Sequence, residues 1–314
     1  MERQRSIDAV AGIMIIYMIA WHFGILPKEK PFDCLFFFMP WFFYKSGIFY
    51  KKKNIRDYII KGVKKLLYPY VIFSFLGWCI YCLCLFFEND VIITHYILTP
   101  LKELVMCGAI QGNLPLWFLL TLFCVTVCYA IFDQMKLPKY LVLIFFSMVA
   151  FFLSIWGGRI PDYLKNTALG IVFYTAGNIF SLKQYKKSIW GTALVISILI
   201  YFFCNSKILF RDNTLISGNY CLAIIFSISA SIAINAIFDI IKYKFYVLTW
   251  IGRNAIVLYL THWLVMSGLG LYFSVVDIHV FNYPLLLSFF FVVLSPILVY
   301  IFTYTKFRYL IKLK

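Results

Sequence analysis

The sequence predicts an all-α, polytopic integral membrane protein of about ten transmembrane helices, with both termini in the cytoplasm. Three observations predict it: an apolar content too high for a water-soluble core, apolar blocks of spanning length, and Lys and Arg gathered on alternate loops. Of 314 residues, 63% are hydrophobic and only 13% charged. A soluble domain runs nearer half apolar and a quarter charged. Lipid is the natural solvent for the excess. The formal charge of +16 does not point to nucleic acid, because the basic residues fall between apolar blocks rather than on one domain.

A bilayer core takes about 20 apolar residues as a helix. Ten blocks reach or approach that length: 7–26, 32–50, 66–87, 116–133, 139–157, 164–181, 188–204, 216–238, 249–271 and 283–303. The first is expected to be a mature helix rather than a cleaved leader, since it lacks a small-x-small cleavage pattern. No soluble domain or linker interrupts the series, so residues 1–314 read as one membrane-embedded domain with a cytoplasmic basic segment at 51–65. With the N-terminus inside, the inner segments hold 21 Lys and Arg and the outer loops 7. Cytoplasmic loops carry such an excess. The nine cysteines include Cys79, Cys82, Cys84, Cys124 and Cys128 inside apolar stretches. They read as small buried hydrophobes, and no metal site is expected.

Ionisable groups inside spans are costly and usually face a cavity or a partner. In the first helix Asp8 and His22 fall within about 40° in azimuth and roughly 21 Å apart along the axis. Asp8 lies near the cytoplasm and His22 in the outer half. The ninth block carries Gly252-Arg253-Asn254 at its inner end, then Tyr259 and His262, so His262 reaches a depth similar to His22. A neutral imidazole can take a proton from a hydroxyl near neutral pH. Either histidine can equally be a packing residue. The second helix combines a proline kink at Pro40 with Lys45, Ser46 and Gly47. Lys45 either faces the interior or snorkels to the cytoplasm.

Segment 51–65 places Ile55, Tyr58, Ile59 and Val63 on one helical face. Its Arg56, Lys61, Lys64 and Lys65 suit anionic lipid headgroups, or the phosphates of a donor. Trp117 opens the fourth helix, as an interfacial anchor or as part of a site.

Taken together these fragments resemble the acyltransferase 3 family, bacterial membrane enzymes that O-acylate sugars of surface polysaccharides. Ser6-Ile7-Asp8 through Trp21-His22 is similar to the family's opening helix, which ends in its signature histidine. Met39-Pro40-Trp41-Phe42-Phe43 with Ser46-Gly47, then Lys64-Lys65-Leu66-Leu67-Tyr68-Pro69, then Leu116-Trp117-Phe118-Leu119, then Asn254 to Leu260 with His262, match later motifs in order. One position departs. The family usually has Arg or Lys eleven residues before the histidine, and here that residue is Ala11. Lys45, at similar depth on the antiparallel second helix, is expected to supply the missing cation and to pair with Asp8.

The resemblance implies an O-acyltransferase in the bacterial cytoplasmic (inner) membrane, with acyl-CoA, in first place acetyl-CoA, as co-substrate and no bound cofactor. It implies His22 as the catalytic residue. Asp8, Lys45, Ser46, Trp117, Tyr259 and His262 would support it or position substrate, and Arg56, Lys61, Lys64 and Lys65 would bind the donor. The acceptor would be a polysaccharide or lipid-linked sugar. Membrane lipids and polysaccharide-assembly proteins would be its partners, and nucleic acid would not. The rival reading is a non-enzymatic polysaccharide exporter or scaffold, or a degenerate member of the family. An interior polar stripe suits a transporter as well.

Overall fold

The computed structural model describes residues 5–27, 29–87, 92–156, 158–181, 187–241, 245–275 and 284–311. The predicted basic residues Lys312 and Lys314 lie outside them. The described chain is helical almost throughout: α1 (Arg5–His22), α2 (Phe38–Ile48), α3 (Ile55–Gly62), α4 (Tyr68–Phe87), α5 (Ile93–Cys107), α6 (Trp117–Gln134), α7 (Lys139–Ile155), α8 (Asp162–Ile179), α9 (Lys187–Leu199), α10 (Tyr220–Ile241), α11 (Tyr246–Arg253), α12 (Ala255–Val275) and α13 (Pro284–Tyr304). A small antiparallel hairpin, β1 (Lys207–Leu209) with β2 (Thr214–Ser217), interrupts the series.

Each of the ten predicted blocks holds a helix. Among the described residues, five helical stretches are long and apolar enough to cross a membrane: Ile55–Phe87, Leu114–Gln134, Tyr220–Ile241, Ala255–Tyr272 and Pro284–Tyr304. The rest are shorter or carry more polar residues, and for α8 burial explains this. Every residue of α8 from Asn166 to Gly177 is buried. A helix walled in by other helices need not be apolar all round. The outermost helices show the converse. On α13, Leu285, Phe289, Val292 and Val293 are exposed, as are Leu141, Ile144, Phe145 and Phe152 on α7. Such exposed apolar stripes suit hydrocarbon rather than water.

Close backbone approach fixes the centre of the bundle. α2 crosses α8 where Gly47 faces the carbonyl of Tyr174 and Gly177 faces the carbonyl of Tyr44, so neither position has room for a side chain. Trp41 Nε1 donates to Asn235 Oδ1 at 3.1 Å, tying α2 to α10. On the other flank, α1 lies along α11 with Gly12 against Leu248 and Gly252 against Asp8.

The structure corrects several expectations. The second helix begins at Phe38 rather than at residue 32. Residues 29–37 form successive turns, pinned where Tyr201 donates to Asp33 at 2.7 Å. Pro40 therefore falls in the first turn of α2, where the missing N–H has no helical partner to lose, and no kink is needed. The single block 249–271 is two helices, broken at Asn254 between α11 and α12. Finally, α5 and the hairpin occupy loops that hydropathy left unstructured. α5 exposes Ile93, Ile97, Leu98, Leu101 and Val105 but also carries Lys102 and Glu103, so it lacks a spanning apolar block.

Candidate active site

Two cavities meet in the bundle. The larger, of roughly 700 Å³, opens at the end where α1 begins and α2 finishes. Six cationic residues line it: Lys45, Lys51, Lys53, Lys61, Lys65 and Arg253. Tyr50, Tyr58, Phe118 and Tyr174 form its walls. Tyr58 stacks on Tyr50, with ring centroids 5.5 Å apart and planes 16° apart. This packing anchors α3 and its Lys61 beside the opening. Between α3 and α4 the helix widens over Val63–Leu67 into a π-helical turn, and Gly62 sits directly against the ring of Phe123.

The second cavity, of roughly 310 Å³, lies toward the opposite end and is lined by His22, three tryptophans (Trp21, Trp117 and Trp263) and the hairpin residue Arg211. Met39 and Tyr259 line both cavities. They therefore lie between the two and contribute to the wall there, where the Tyr259 hydroxyl donates to the carbonyl of Pro115.

His22 is half-buried. Its ring meets that of His262 edge-on with centroids 5.2 Å apart, and that of Trp263 at 5.4 Å. His262 is fully buried. Its Nδ1 lies 2.7 Å from the Tyr259 carbonyl, which assigns the proton to Nδ1, because a carbonyl can only accept. The Nε2 lone pair is then a buried acceptor without a hydrogen-bond partner among the described residues. His262 thus stands behind His22 rather than in the cavity.

The other predicted residues divide clearly. Lys45, Ser46, Lys61, Lys65 and Tyr259 line the larger cavity, and Trp117 lines the smaller. The Ser46 hydroxyl is turned back onto the Phe42 carbonyl at 2.9 Å. Arg56 and Lys64 do not line either cavity. Asp8 is buried outside both and accepts from Arg253 Nε at 3.3 Å. Arg253, from α11, is thus one cation that the geometry gives Asp8, beyond the Lys45 to which the sequence pointed. Lys45 places its ammonium 5.5 Å from the centre of the Trp41 ring. Ala11 is completely buried, which leaves no space there for a long cation, whereas α11 brings Arg253 in from the side. Arg253→Ala is therefore expected to lower activity about tenfold, by removing a cation from the larger cavity and an ion-pair partner from buried Asp8. Activity of purified variants against equal amounts of folded protein checks this; an unchanged rate would dismiss the role.

Sequence reasoning missed two contributors. Arg253 was visible beside Gly252, but its partner depends on how α11 packs. Arg211 lies in a polar loop with no membrane signal, and only the hairpin fold carries it to the His22 cavity.

A chemical reading follows from this geometry. A cation-rich chamber can hold polyanionic phosphates. A tryptophan-lined chamber with an imidazole suits an apolar-faced ring carrying hydroxyls. The shared wall is where a group would pass from one to the other. Comparison with known families agrees: a family model described as an acyltransferase domain matches residues 4–304. No curated protein and no solved structure matches the chain.

Proposed function

The chain belongs to the acyltransferase 3 family, and on that premise we propose that it transfers an acyl group, in first place acetyl, from cytosolic acyl-CoA to a hydroxyl of a surface or exopolysaccharide sugar. Family membership and the apolar helices make it a membrane acyltransferase; the donor, the group and the acceptor are our reading. In that reading the chain crosses a bacterial inner membrane ten times, with both termini in the cytoplasm. The observation that carries it is the pair of cavities sharing the Met39–Tyr259 wall, one lined by six cations and the other by His22.

The larger cavity would take the donor from the cytoplasm, its phosphates among Lys51, Lys53, Lys61 and Lys65. The pantetheine arm would run toward Met39 and Tyr259 and present the thioester to the second cavity. There the acceptor hydroxyl gives its proton to His22 as its oxygen bonds to the thioester carbonyl carbon. The tetrahedral adduct collapses by breaking the carbon–sulfur bond. The thiolate leaves and takes the proton from His22, so an ester and free CoA result and the imidazole returns neutral. His262 supports the His22 ring from behind.

Radiolabelled acetyl-CoA tests the reading with detergent-purified protein and a bacterial glycan fraction. Label is expected in the glycan, with stoichiometric CoA release. Reversing two charges together, Lys61→Glu with Lys65→Glu, is expected to raise the KM for acetyl-CoA about tenfold or more while leaving acceptor dependence unchanged. Neither label transfer nor CoA release in the native protein would favour an exporter or scaffold instead.

A further inference from the structure

We propose that Arg211 selects acceptors that carry an oxyanion, a sugar carboxylate or a glycosyl phosphate, next to the hydroxyl that is acylated. The proposal rests on reading the His22 cavity as the acceptor chamber.

The hairpin tip is built into the bundle rather than draped over it. Phe210 is buried and stacks on Phe43 at 5.1 Å and on Trp117 at 6.0 Å. The Arg211 carbonyl accepts from Asn166 Nδ2 of α8 at 2.5 Å. Two residues on, Asn213 is fully buried. It donates to the Ala150 carbonyl at 2.8 Å and accepts from the Tyr220 hydroxyl at 2.6 Å. Its φ of +58° lies in the left-handed region, which asparagine tolerates better than most residues. The main chain on both sides of Arg211 is therefore locked by α7, α8 and α10. The side chain between these anchors is exposed and lines the cavity that holds His22.

The guanidinium has charge to offer. Among the described residues no carboxylate lies within ion-pair distance of it. Of the neighbouring acids, Asp162 pairs with Lys165 at 3.4 Å and Asp212 accepts from Thr214, while Glu103 accepts from Gln111 through one oxygen only and is the carboxylate near enough to attract the guanidinium without forming an ion pair with it. An exposed cation at the edge of an otherwise largely apolar chamber attracts an anionic ligand through a field that salt screens. A guanidinium also presents paired N–H groups that match a carboxylate or phosphate two bonds at a time. The tryptophans would receive the ring and Arg211 its charge, which would fix which hydroxyl faces His22.

The test is equilibrium binding of three probes to the purified full chain, without donor: methyl β-D-glucuronide, glucose 1-phosphate and methyl β-D-glucoside. Native protein is expected to bind an anionic probe on the order of tenfold more tightly than the neutral one at low salt. Arg211→Gln is expected to abolish that preference, and rising salt to shrink it in the native protein. Preference for the glucuronide alone identifies an acidic sugar, and for the phosphate alone a glycosyl phosphate. Equal binding of all three probes, or a preference that survives Arg211→Gln or high salt, overturns the proposal. So does an Arg211→Gln variant that slows transfer to neutral and anionic acceptors alike, since that marks a residue serving the tetrahedral adduct. Should that variant misfold, Arg211→Lys, which keeps the charge but not the fork, and the salt titration of native protein still decide. Anion-selective binding with no acyl transfer would refute the acyltransferase reading while leaving this inference standing.

Discussion

Replacing His22 with alanine is expected to lower acyl transfer roughly a hundred- to ten-thousandfold, the range over which a positioned acid–base group contributes. The protein should still fold, because His22 is half-buried and lines a cavity rather than filling the core. Rates measured on purified variant, with folded protein quantified by gel filtration, decide the matter. Transfer at native rates by the alanine variant would remove His22 from the chemistry. His262→Ala should cost much less if it only supports the His22 ring, and its effect should appear in both kcat and stability. Its Nδ1 bond to Tyr259 lies within one turn of α12, so losing it loosens the helix that carries the Tyr259 wall.

The second large effect is structural. Gly177→Leu is expected to destabilise the protein by about 3 kcal/mol, enough to remove most folded protein from detergent extracts. The cause is local: a Cβ at Gly177 meets the backbone carbonyl of Tyr44, and backbone cannot rotate away as a side-chain tip can. α2 and α8 must then separate. That displaces Lys45 and Ser46 from the larger cavity and breaks the bond from Tyr44 to the Phe180 carbonyl, 2.9 Å in the native fold. Thermal denaturation followed by fluorescence size exclusion measures the loss. Gly191→Leu is the control, since a Cβ there meets nothing within 4 Å. A Gly177→Leu protein as stable as the control would show that the helices are not in close contact.

Hydropathy made the helices legible because lipid imposes one simple demand on whatever faces it. α4, α6 and α13 could be read almost to the residue: predicted at 66–87, 116–133 and 283–303, they span Tyr68–Phe87, Trp117–Gln134 and Pro284–Tyr304. The same signal is blind to elements that do not cross. α5 and the β-hairpin have mixed polarity, so no apolar block marked them. It also merges helices that abut, as at Asn254, where the polar residue that ends α11 looked like one tolerated side chain in a longer span.

The site was partly legible for a different reason. Depth along a helix follows from residue count, so His22 and His262 could be set at one level, and the structure brings their rings together. Which cation meets Asp8 depends on the facing of α11 against α1. That facing follows from Gly12 and Gly252, whose meaning appears only once both are seen in contact. Of the basic residues in 51–65, Lys51, Lys53, Lys61 and Lys65 line the larger cavity, and Arg56 and Lys64 do not. Amphipathic spacing identifies an apolar face and leaves open which polar residues turn inward. Arg211 was beyond such reasoning, because its position is set by the insertion of Phe210, a contact between segments far apart in sequence.

The wall formed by Met39 and Tyr259 has a consequence for the cell as well as for the reaction. A chamber reaching in from each face of a bilayer, joined without interruption, would hold a continuous thread of water. Protons hop along such threads, and the membrane potential would drain through every copy of the protein. Two buried side chains, one a thioether and one a phenol fastened to the Pro115 carbonyl, would break the thread in a protein set in the membrane as proposed. They would act as electrical insulation, letting the two chambers lie close enough to exchange a small group while the membrane between them stays charged.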